Sequence, residues 1–116
     1  ICYSSFAVAP YFIDENSDTV QAFVNGFQRS LEWVDRNDAF VIAEKISSFF
    51  PHYAMNTLER AIGQYKSQKT WPQNTLIGED GYIAMRDILI EGGLVNGSYS
   101  YERLVRPEFA YKAISG

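Results

Sequence analysis

GQYKSQKTWPQNTLIGEDGYIAMRDILIEGGLV, Gly63 to Val95, contains the end of one amphipathic helix, a polar linker and the whole of a second helix. Just upstream, Leu58, Ala61, Ile62 and Tyr65 recur at helical spacing and predict a helix from about Met55 to Ser67. In the second helix Gly78 stands near the cap, and Glu79 and Asp80 occupy a first turn where negative charge suits the helix dipole. Tyr82, Met85, Ile88 and Leu89 form its inner face, and Gly92 and Gly93 supply the left-handed residue that commonly ends a helix. The helix therefore runs from about Glu79 to Glu91. The linker between the two is polar, yet it carries Trp71 followed by Pro72. A side chain of that size is either a binding residue or a packing anchor.

Working outward, Val20, Phe23, Val24, Phe27, Leu31 and Val34 define one apolar face and predict a long helix from about Ser17 to Arg36. Asn16 is placed to cap it, with Asp18 in its first turn. Gly26 inside this helix costs roughly 1 kcal/mol relative to alanine, which points to a close helix contact there. Asn37 and Asp38 restart a helix with Phe40, Ala43, Ile46 and Phe50 on its inner side until Pro51 ends it. Phe27 and Phe50, with Trp71, are the expected packing anchors. A turn at Asn96-Gly97 leads to a short helix over Tyr101 to Val105, and Pro107 interrupts before a last turn around Phe109 to Ala113. Ile1 to Pro10 reads as a strand, because Tyr3, Phe6 and Val8 favour extended backbone and Pro10 stops the run. One strand makes no sheet. Its partners lie elsewhere in a longer protein or in another chain, or the segment runs as an extended arm. The expected fold is mostly α: four to six helices over 11–116 after a strand or arm at 1–10, in a single unit.

At 116 residues, 47% of them apolar, the chain is long enough to bury a core. Its net charge of −4 is spread along the sequence, so there is no basic footprint for nucleic acid or an anionic membrane. No apolar run approaches the roughly 20 residues needed to cross a bilayer, and no signal peptide is visible. The first residue, Ile1, implies a chain processed or cut from something longer. Cys2 has no cysteine to pair with and supports no metal motif. His52, the single histidine, follows a proline and has no serine or cysteine motif to serve as general base. Paired carboxylates such as Glu79 and Asp80 are explained by helix starts, and the glycines near Gly92 follow a helix rather than open one after a strand. Asn96-Gly97-Ser98 matches a glycosylation acceptor but reads better as a turn. No catalytic residue, metal site or cofactor is expected. Aromatic residues are the one excess, at 16%. Phe49, Phe50, Tyr53, Trp71, Tyr99, Tyr101 and Phe109 suggest a surface that packs against something else.

The ordered set "FFP", "QYKSQKTWP", "IGEDGYIAMRDILIEGGLV", "YERLV" and "EFA" resembles the carboxyl-terminal portion of bacterial solute-binding proteins of ABC importers. Those importers serve nitrate, sulfonate, taurine and pyrimidine thiamine precursors. Upstream, "FIDENSDTVQAFVNGFQRSLEWVDRND" resembles the helix that follows the final strand in that family. Departures are Ser17 where a proline is common, Ala54 near an aspartate cap, Gly78 at a serine cap and Ser100 near a proline. The resemblance implies a two-lobed α/β clamp of which this chain is a helical buttress. It further implies a small anionic or heteroaromatic solute, an ABC permease as partner, and a periplasmic or lipid-anchored location. Tyr3, Ser4, Ser5 and Phe6 are the residues it would bring nearest the cleft. Trp71 would pin the linker onto the back of a lobe, and the isolated chain would self-associate through its uncovered apolar faces. Two other readings stand beside this one. A pyrimidine-precursor synthase of the same fold would need its histidine and pyridoxal lysine upstream, and a free-standing helical interaction module would need no missing partner.

Overall fold

The computed structural model describes residues 4–116. Among them lie seven α-helices: α1 Pro10–Glu15, α2 Ser17–Arg36, α3 Ala39–Ile46, α4 Met55–Ser67, α5 Glu79–Glu91, α6 Tyr101–Leu104 and α7 Glu108–Ser115. A 3-10 turn, Ser47–Phe49, extends α3. The expected strand over Ile1 to Pro10 is not seen among the described residues, and Ile1, Cys2 and Tyr3 lie outside them. Instead of stopping a strand, Pro10 opens α1. Its missing N–H would have no helical partner at that position, and its fixed φ suits the first turn.

The backbone groups left over at the helix ends explain the boundaries. Asn16 joins α1 to α2: its N–H donates to the Phe12 carbonyl at 2.9 Å, and its own carbonyl accepts from Val20 N–H at 3.1 Å. Asp38 caps α3 by accepting from Val41 N–H at 3.0 Å. Helices α4 and α5 end in the same way. Thr70 N–H reaches the Tyr65 carbonyl and Leu94 N–H reaches that of Leu89, around a residue of positive φ. In α5 that residue is Gly93, with φ 70°; in α4 it is Lys69, with φ 52°, where a side chain makes the same conformation costly.

The chain divides into two compact units, Gly26–Thr75 and Ile1–Asn25 with Leu76–Gly116. In the first, Ile42 and Ala43 of α3 meet Leu58 and Ile62 of α4, and Val34, Ala39, Ile46, Met55 and Trp71 pack around them. Ala39 Cβ lies 3.8 Å from where a Cβ on Gly63 would stand, so the two helices approach closely there. Phe40, expected inside, is half exposed, because Ile42 and Ala43 take the inner face of α3. Ala61 and Tyr65 of α4 are likewise exposed. Gly26 does not mark the close contact expected of it, since nothing lies within 4 Å of a Cβ placed there.

In the second unit Ile13 of α1 and Phe109 and Ala110 of α7 are buried. Gln21 of α2 donates from Nε2 to the Phe109 carbonyl and to Asn25 Oδ1, both at 2.9 Å. Tyr101 donates its hydroxyl to the Ile77 carbonyl at 2.5 Å and meets the Tyr82 ring edge-on at 5.8 Å. Burial raises the Tyr101 phenol above its usual range, helped by nearby Tyr111 and by the carboxylates of Glu79 and Glu102.

Candidate functional site

Three features could carry function: the linker around Trp71, the segment Ser4 to Phe6, and the apolar side chains left at the surface. The linker is the most organised. Its start is fixed by the Lys69 turn, and its end by Gln28 of α2, whose Oε1 accepts from Thr75 N–H at 3.0 Å and from Thr75 Oγ1 at 3.2 Å. Gln28 Nε2 donates onward to Glu32 Oε1 at 3.1 Å. Gln28 is buried, so these bonds satisfy groups that water does not reach. Between the two ends Trp71 is half-buried against the α3–α4 core, with Tyr65 edge-on at 5.5 Å.

Beside the indole runs an open cleft of about 400 Å³, lined by Leu31, Val34, Asp35, Tyr65, Lys69 and Pro72 among others. Lys66 also borders it, but its ammonium is already committed. It donates to the carbonyls of Val34 at 2.6 Å, Asp35 at 3.2 Å and Asn37 at 2.6 Å. Those are carbonyls at the end of α2, which have no partner within the helix and carry the negative end of its dipole. Asn37 completes the cap by donating from Nδ2 to the Trp33 carbonyl at 2.7 Å. Lys66 therefore closes a helix end and leaves no proton for a ligand in the cleft.

Of the segment expected nearest a cleft, Tyr3 lies outside the described residues, and Ser4, Ser5 and Phe6 are exposed. The Phe6 ring meets Phe23 edge-on at 4.9 Å. Of the three expected anchors, Trp71 packs on the core, whereas Phe27 is 38% exposed and Phe50 42% exposed, the latter with Tyr53 at 6.5 Å. Phe49 is 79% exposed. His52 sits exposed in the turn after Pro51, and among the described residues no group of three or more His, Cys, Asp or Glu is placed to hold a metal. No helix among them is long and apolar enough to cross a membrane.

The uncovered apolar surface is large. Among the described residues Phe49 is 79%, Leu94 75%, Tyr11 69%, Tyr53 61% and Leu104 59% exposed.

Two residues that organise the linker, Gln28 and Lys66, escape a reading of the sequence alone. Gln28 did leave a signal, being the polar interruption beside Phe27 on the α2 stripe. Lys66 left none, because its acceptors are backbone atoms at Val34, Asp35 and Asn37.

The chain is similar to a Bacillus subtilis (strain 168) protein described as "Putative binding protein YtlA", with 25% identity over 113 residues. The alignment takes in 97% of this chain and 34% of that protein, so the chain spans about a third of the relative's length. No protein-family profile matches the chain, and no solved structure does.

Proposed function

We propose that this chain is a helical portion of the solute-binding component of an ABC importer, a binding protein and not an enzyme. In this reading the complete protein is a two-lobed α/β clamp, periplasmic or lipid-anchored. It delivers a small anionic or heteroaromatic solute, such as a sulfonate, taurine, nitrate or a pyrimidine thiamine precursor, to a permease. The helices here buttress one lobe, and Tyr3, Ser4, Ser5 and Phe6 are the residues nearest the solute. The observation that carries the reading is the set of large apolar side chains left exposed, which fits helices shaped to cover a sheet that they do not themselves supply. The alignment of nearly the whole chain with part of a longer protein described as a binding protein supports it.

The test uses the longer protein that carries this chain. Calorimetric titration with taurine, an alkanesulfonate, nitrate and a hydroxymethylpyrimidine should find one saturable partner, recovered chemically unchanged. Turnover of that partner, or failure of all four to bind folded protein, overturns the reading. Light scattering on the 116-residue chain gives a second check. Self-association is expected, and a sharply cooperative monomer would contradict the uncovered-face argument.

A further inference from the structure

We infer that Asn96 is the site of a slow, uncatalysed deamidation through a cyclic imide, and that the fold selects it over Asn25. The inference is independent of the solute-binding reading. The chain has two Asn-Gly pairs, Asn25-Gly26 and Asn96-Gly97. In the reaction the glycine amide nitrogen loses its proton to solvent and bonds to the asparagine Cγ, and ammonia leaves. Water then opens the imide at either carbonyl, leaving aspartate or isoaspartate. No oxidant or other co-reactant is needed. Glycine favours the step because no Cβ obstructs the approach, but the amide nitrogen must be free and the backbone able to leave its resting conformation.

The two sites differ in both respects. Asn25 and Gly26 lie inside α2, where helical backbone engages each N–H with the carbonyl four residues earlier and holds ψ near −42°. The Asn25 side chain is also held, accepting from Gln21 Nε2 at 2.9 Å. Asn96 and Gly97 lie in the segment between α5 and α6, both exposed, and no described residue accepts a hydrogen bond from Gly97 N–H. A Cβ at Gly97 would meet only the Tyr99 ring, at an ordinary 3.8 Å, so Gly97→Ala fits without disturbing the segment. Conversion makes the chain one unit more negative than −4. As isoaspartate it also lengthens the main chain just before Tyr99, whose carbonyl accepts from the Tyr82 hydroxyl at 2.7 Å.

The experiment incubates the full chain at neutral and mildly alkaline pH, native and in urea, and follows both peptides by mass spectrometry with separation of aspartate from isoaspartate. In the native chain Asn96 should convert at least about tenfold faster than Asn25, the factor that ~1.4 kcal/mol of local helix stability imposes. In urea the two rates should converge, and Gly97→Ala should slow conversion at Asn96. The inference is overturned if native Asn96 stays intact while the urea sample converts, if native Asn25 keeps pace, or if Gly97→Ala leaves the Asn96 rate unchanged.

Discussion

Replacing Lys66 by methionine keeps most of the side-chain stem but removes the ammonium that closes α2. Three carbonyls lose a donor, two of them at 2.6 Å and half-sheltered, the third at 3.2 Å and exposed. A hydrogen bond to a charged group contributes about 1.5–3 kcal/mol, and a cation at a helix C-terminus about 0.3–1 kcal/mol. One charge shared among three acceptors near solvent belongs toward the low end, so the set is worth ~2–3 kcal/mol. For a chain of 116 residues that corresponds to a fall in Tm of about 8–12 °C. Urea unfolding followed by far-UV circular dichroism and by the fluorescence of Trp33 and Trp71 measures it. Lys45→Met, on an exposed part of α3, changes charge and polarity alike and should stay within about 0.5 kcal/mol of the parent. If Lys66→Met loses no more than Lys45→Met, the cap contributes nothing and the argument for it fails.

Gln28→Ala strands the partly buried Thr75 N–H and should cost about 1–3 kcal/mol in the same urea assay; a change under ~0.5 kcal/mol would mean water replaces the amide. Two backbone changes should stabilise, each by about 1 kcal/mol: Gly26→Ala, which fills open space within a helix, and Lys69→Gly, which relieves a positive φ. Lys69→Ala should show no such gain. Tyr101 has its phenol raised in the folded chain, so the unfolded chain ionises first as pH climbs past about 10. Stability from this group is fully present below that pH and lost as pH rises through the folded value. Tyr101→Phe should flatten the stability profile above about pH 10, and an unaltered slope there would refute the assignment.

What could be read from the chain itself was local. The bounds of α2 and α5 follow from signals within a turn or two of their ends, namely Asp18, the Gly78-Glu79-Asp80 start and the Gly92-Gly93 stop. Such signals act through the nearest backbone groups, so no tertiary partner is needed to interpret them. The N-terminal segment misled for the same reason. Tyr3, Phe6 and Val8 favour extended backbone, but a strand exists only where another strand accepts its hydrogen bonds, and Pro10 serves equally well to begin a helix.

Which face of a helix lies inside, and which polar groups hold the linker, depended on tertiary structure. Periodicity marks an apolar stripe without saying what covers it, so Ile42 took the interior while Phe40, Phe27 and Phe50 remained at the surface. Gln28 and Lys66 acquire their roles only when Thr75 and the end of α2 arrive beside them, across 47 and up to 32 positions of sequence. Hydrogen-bond acceptors that distant leave no periodic trace, because their spacing is set by how the chain returns on itself rather than by the repeat of any one helix.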